Sequence, residues 1–268
     1  MSTKLGSCRV LTCQVALLLS AAVVSSAAAI PSGWVCNGNC GSSGADGVVT
    51  LSPSGNSQYQ WVSTFNGPSG VGALPGVGGL GSPTNGSTLT TTSFAASAGD
   101  PLSFYFNYVT SDGSDFADYA WVQLLNSSGT SAALLFTART APSGSIVPGF
   151  SMPPPSATLD PSSVPIIDGA PTWSPLGPSS GTCFDVGCGY TGWIKSSFTI
   201  TASGNYMLQA GVVNWNDEEY DSGLALDGVT VAGTPITPIT PVSGVPEPAT
   251  MLLVSLGAAG VLVRRFCS

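Results

Sequence analysis

Two short acidic stretches carry the side chains with most chemical potential in this chain. "Ser111-Asp-Gly-Ser-Asp-Phe-Ala-Asp118" contributes Asp112, Asp115 and Asp118, and "Asn214-Trp-Asn-Asp-Glu-Glu-Tyr-Asp221" contributes Asp217, Glu218, Glu219 and Asp221. Calcium takes six to eight oxygens from carboxylates, amides and carbonyls. If the stretches are loops that converge, Asp112, Asp115, Asp118, Asp217, Glu219 and Asp221, with Asn216, make such a set. Neither has the spacing of an EF-hand loop. The competing reading is a pair of solvated acidic turns.

Catalysis is poorly supplied. Histidine is absent from all 268 residues, which removes His-dependent triads, His-ligated zinc and the commonest general base. A glycosidase needs two separated carboxyl groups. Outside the tail the only glutamates are Glu218 and Glu219, adjacent in sequence. No serine elbow, phosphate-binding loop or dinucleotide fingerprint is present. The expectation is a protein that is not an enzyme and has no catalytic residues. Asp227, inside an apolar strand, is expected to be buried and hydrogen-bonded. Trp173, in a proline-rich loop, and Trp215, beside the second acidic stretch, are the candidates for stacking on sugar rings. Trp61, Trp121 and Trp193 sit in strand patterns and are expected in the core.

Strands must position these groups. Leu102–Val109 alternates with Leu102, Phe104, Phe106 and Tyr108 on one face. Strands are also read at 119–125, 132–137, 192–200, 205–213 and 223–231, with weaker ones at 47–51, 58–62 and 88–94. Glycine-containing turns separate them. This pattern predicts an all-β, antiparallel, jelly-roll-like sandwich over residues 30–232. Residues 139–182 break the rhythm with ten prolines. They read either as a wrap across one sheet face or as an exposed insertion.

Cys36, Cys40, Cys183 and Cys188 form two close pairs. In an exported chain they read as disulfides, with local pairing preferred. Crossed pairings and a four-thiolate zinc site are the alternatives. Residues 233–244 have proline at every third position, which predicts an extended linker.

Both ends read as targeting. Lys4 and Arg9 precede an apolar run and Ala27-Ala28-Ala29, so residues 1–29 read as a signal peptide cut by signal peptidase. At the other end, residues 245–268 run Val245-Pro246-Glu247-Pro248, an uncharged stretch 249–263, then Arg264-Arg265. Fifteen helical residues span roughly 22 Å, short of the ~20 residues usual for a membrane crossing. A single hydrophobic helix, transiently held in the inner membrane with its basic pair on the cytoplasmic side, is still the preferred reading. This tail resembles the PEP-CTERM sorting signal. The resemblance implies processing by an exosortase, a destination at the cell surface, outer membrane or extracellular matrix, and company with exopolysaccharide. The chain from Gly33 through Asn214 to Val229 also resembles a family of PEP-CTERM-sorted β-sandwich proteins. That resemblance implies fold and destination and transfers no functional residue.

Charge completes the expectation. Of fourteen acids only Glu247 lies in the tail, leaving thirteen against two cations, Arg139 and Lys195. Nucleic-acid binding needs clustered Lys and Arg and is excluded. The sequence therefore predicts an exported, non-catalytic module that associates with exopolysaccharide, with calcium as the bridging ion. A purely structural coat protein is the alternative, and a carboxylate-dependent glycoside-active enzyme the more distant one.

Overall fold

The structure, a computed structural model, describes residues 29–236. In chain order its strands are β1 (Val35–Asn37), β2 (Asn39–Ser43), β3 (Tyr59–Ser63), β4 (Pro83–Thr90), β5 (Phe94–Ala96), β6 (Pro101–Thr110), β7 (Tyr119–Asn126), β8 (Ser131–Arg139) and β9 (Ser145–Val147). There follow β10 (Thr158–Asp160), β11 (Val164–Pro165), β12 (Ile167–Asp168), β13 (Gly189–Tyr190), β14 (Ile194–Thr199), β15 (Gly204–Trp215), β16 (Ser222–Val231) and β17 (Thr234–Pro235). A short 3-10 segment, Ser174–Ser179, precedes β13.

One sheet has the order β1-β4-β15-β7-β8, with β5 also on β15. The other has the order β10-β14-β6-β16-β3-β2, with β13 on β6 and β17 on β16. Neighbours within each sheet are antiparallel. The chain crosses between sheets rather than completing one before the other: β3 and β6 lie in one, β4, β7 and β8 in the second. The four principal strands of each sheet run β14-β6-β16-β3 and β4-β15-β7-β8, which is the jelly-roll arrangement.

Alternation explains the layers. Leu102, Phe104 and Phe106 of β6, Val122 and Leu124 of β7, Leu208, Ala210 and Val212 of β15, and Leu224 and Leu226 of β16 face one another between the sheets. The opposite faces are partly roofed. Trp173 and Leu176 cover Tyr59, Trp61, Val109 and Ala225 on the β16 sheet. Leu74, Val77 and Met152 cover Tyr119, Trp121, Val213 and Trp215 on the β15 sheet. Indole rings lie across neighbouring strands here, and only glycine leaves room beneath them. Trp61 sits over its register partner Gly41, and Trp121 over Gly211.

The long proline-rich segment is a wrap. It places Met152 on one sheet and Trp173 on the other, and Ile146, Val147, Leu159 and Val164 join the central core. Both disulfides pair locally, Cys36–Cys40 and Cys183–Cys188. Three expectations change. Residues 47–51 form a turn closed by an Asp46–Val49 bridge rather than a strand. β1 and β2, in a Gly/Ser/Asn-rich stretch, had no strand signature. Pairing extends past residue 232, because β17 adds to β16 and the Ile236 amide bonds to the Val229 carbonyl (3.1 Å). Pro235 fits there because a two-residue strand at the periphery asks little of the missing N–H. The signal peptide, the rest of the linker, the sorting motif and the apolar helix at 249–263 lie outside the described residues. Among the described residues no helix is long and apolar enough to cross a membrane.

Candidate functional site

At one end of the sandwich the core-facing stripe changes character. Beyond Val62 it continues to Thr64, beyond Tyr108 to Thr110 and Asp112, before Ala120 it begins with Asp118, beyond Val212 it reaches Asn214, and before Leu224 it begins with Ser222. All six are buried. The strand period of two thus aims a polar layer into the interior at the point where the acidic loops begin.

The two acidic loops do converge. Ser111 N–H and its hydroxyl both donate to the Asp221 carbonyl (3.1 and 2.8 Å). Asp118 accepts from the Trp215 amide through Oδ1 (2.8 Å) and from the Ser222 hydroxyl through Oδ2 (2.6 Å). Asp221 accepts from Thr64 Oγ1 (3.0 Å) and Ser179 Oγ (2.9 Å). Asp112 accepts from the Gly113 amide (2.6 Å), and its Oδ2 has no partner among the described residues. Neither do the side-chain oxygen and nitrogen of the fully buried Asn214. Every hydrogen-bond donor to these three carboxylates is neutral.

Burial without a cation raises their pKa values. Asp112 is pushed up to about 7, mainly by desolvation, with the charges of Asp217 and Asp221 adding to it. Asp221 is pushed up to about 6 by burial, against the hydroxyls of Ser179 and Thr64. Asp118 stands well above the usual carboxylate range, through burial first and then the charge of Asp112.

The six expected calcium ligands divide. Asp112, Asp118 and Asp221 are buried together, and Asp217 is half-buried beside them. Asp115 and Glu219 are exposed on the loop crests and stay out of the buried group. Among the described residues no three His, Cys, Asp or Glu side chains form a metal-holding group on their own. Asp112 Oδ2 and the Asn214 amide oxygen are the unpartnered side-chain oxygens of this layer, hard donors of the sort calcium accepts.

The two proposed stacking tryptophans are corrected. Trp173 is completely buried, its indole N–H bonded to Tyr59 Oη (2.9 Å) and its ring over Gly223. Trp215 is 3 % exposed, bonded through Nε1 to the Leu80 carbonyl (2.8 Å) and covered by the Arg139 guanidinium at 4.5 Å. Neither ring face is open to a sugar. A position beside a loop did not leave either ring open: the Trp173 segment folds back as a roof, and Trp215 ends β15 beneath Leu74, Val77 and Met152. The exposed aromatics at this end are different. Phe184, 47 % exposed, packs against Phe116 (5.5 Å) and Tyr220 (5.1 Å). The Cys183–Cys188 loop presents it, tied down by bonds from the Phe184 amide to Ser111 and from the Ser114 amide to Val186.

Asp227 behaves as expected. It is buried and accepts from the hydroxyls of Ser52 and Ser54, from Asn56 Nδ2 (2.8 Å) and from the Gly228 amide (2.7 Å).

Fold and loops define a jelly-roll β-sandwich with local disulfides and an acidic loop end. Residues 244–265 match the PEP-CTERM protein-sorting motif. The chain carries this sorting motif at its C-terminal end, which implies export and exosortase processing. No curated protein matches it. Among solved structures, it is similar to the K1 cleaved adhesin domain of Lys-gingipain from Porphyromonas gingivalis W83. That match has 12 % identity and a TM-score of 0.34, covering 75 % of this chain and 91 % of that one. It is also similar to the enzymatically active domain of bacteriophage CBA120 tailspike protein 4. There the identity is 12 % and the TM-score 0.31, covering 75 % of this chain and 19 % of that one.

Proposed function

We propose that this protein is a non-catalytic surface module that associates with extracellular polysaccharide, and that calcium seats in its acidic loop end. The sorting motif supports a life outside the cell. The carrying observation is the buried trio Asp112, Asp118 and Asp221, which has neutral partners only and an unpartnered oxygen. Three carboxylates in such a layer need protons or a cation to relieve them. Outside the cell near neutral pH, calcium is the cation whose ligand chemistry fits. A bound ion would supply charge neutralisation and would fix loops 111–118 and 214–221 in one arrangement. Asp112 and Asn214 would hold it, and Asp118 and Asp221 would orient the loops around it.

Co-sedimentation of the exported protein with exopolysaccharide from the producing cells tests this reading. Binding with calcium is expected, and weaker binding with chelator, which would release the two loops. Absence of binding in both conditions would leave a passive coat protein as the better description.

A further inference from the structure

The outer face of the β16 sheet is only half roofed. Trp173 and Leu176 cover the half nearest the acidic loops. The other half is polar and open except at Asp227, which Ser52, Ser54 and Asn56 cover, and its register makes two rows across four strands. One row is Asp160, Lys195, Tyr105 and Asp227. The next is Thr158, Ser197, Ser103 and Thr230.

A cleft of about 290 Å³ occupies this half, lined by Tyr105, Lys195, Asp227, Asn56, Gln60 and Trp34 among others. β3 pairs with β16 only as far as Gln60–Leu226. Past that point the flank of β16 has a gap at Asp227 and Gly228 before the β17 segment takes it up from Val229, and the cleft reaches the inward-facing Gln60 and Trp34. A shallower hollow of about 480 Å³ shares Ser103 and Lys195 and continues across β14 to Phe198 and Thr199. The two form one groove, longer than a single sugar ring needs.

The groove wall is short of acceptors. Gln60, 3 % exposed, and Trp34, 7 % exposed, each carry a buried N–H donor with no acceptor among the described residues. Lys195 adds a third donor. The carboxylate of Asp227 is already saturated by its four donors. The missing partner is therefore rich in acceptor oxygens. A polyanion would meet those donors too, but it would first meet the field of thirteen acids against two cations. Lys195 itself lies opposite the exposed Asp160.

We infer that this groove binds a segment of uncharged polysaccharide, with Tyr105 as the stacking surface and Gln60, Trp34 and Lys195 as donors to sugar oxygens. The inference rests on the polysaccharide reading above and places the contact away from the calcium loops.

The test is a glycan array carrying neutral and acidic oligosaccharides, probed with the exported protein and with the Tyr105→Ala, Gln60→Leu and Phe184→Ala variants. Circular dichroism and melting temperature verify that each variant is folded. Binding to neutral glycans is expected, falling at least tenfold in Tyr105→Ala and Gln60→Leu and unchanged in Phe184→Ala. If Tyr105→Ala loses its fold, Tyr105→Phe with Lys195→Gln replaces it, and the same tenfold loss is expected from Lys195→Gln. Binding confined to acidic glycans, or binding lost in Phe184→Ala and kept in the groove variants, would overturn the groove. The polysaccharide reading would survive that result. Failure to bind any glycan, together with failure to co-sediment with exopolysaccharide, would remove both.

Discussion

At the residue scale the protein is governed by carboxylates held where water is scarce. Asp112 titrates at about 7 and Asp221 at about 6 in the fold, against 3.8 for the ordinary group. The folded chain therefore keeps protons that the unfolded chain has released. Their stabilisation is complete below about pH 4 and lost as pH rises through about 6–7. In chelator, the melting temperature should be lower at pH 8 than at pH 5. Each 1 kcal/mol corresponds to about 2–4 °C in a domain of this size. Asp112→Asn should flatten that slope, and calcium at pH 8 should restore stability to the native protein but not to the variant. A calcium-independent melting curve at pH 8 would count against the ion. Trp173→Ala makes a separate prediction. Removing a fully buried indole should cost about 3–5 kcal/mol, seen as a melting temperature lowered by roughly 6–20 °C. Sequence made the acidic residues legible as a group, because charge at strand ends is visible in one dimension. It left Trp173 misplaced, because exposure depends on what folds over the ring.

Among elements, strand alternation was the strong signal. β6, β7, β15 and β16 follow from inward apolar and outward polar residues, and the structure extends each by a residue or more at one end or both. β1 and β2 lacked that signal, since their place is set by pairing with β4 and β3 rather than by their own side chains. The donor groove was illegible for the same reason: Gln60, Trp34 and Lys195 come from three separate segments. The Cys183–Cys188 loop is the element most open to test. Closing so short a loop stabilises by only about 2 kcal/mol in the chain-entropy account. Replacing both cysteines with serine should leave the sandwich folded by circular dichroism. It should also expose the Phe184 loop to limited proteolysis. Global unfolding of that variant would show the loop to be part of the core's support.

For the whole molecule, export organises the parts. Replacing Glu247 in the sorting motif should leave unprocessed precursor, visible as a larger species on a gel of cell fractions. Processing at the native rate would mean that the triplet is not what the exosortase reads. β16 begins at Ser222 in the acidic loop end and finishes at Val231, beside β17 and the departing chain. The loops therefore sit at the opposite end of β16 from the turn into β17, the last described strand.

That direction has a mechanical meaning. The chain leaves through β17 from the end of β16, a strand flanked by β6 on one side and β3 on the other. A load applied through the C-terminus first peels the two residues of β17, then pulls β16 lengthwise between its neighbours. Its ladder bonds are then strained together in shear instead of opening one after another, so a protein drawn by its tail should resist far more force than one peeled from a sheet edge.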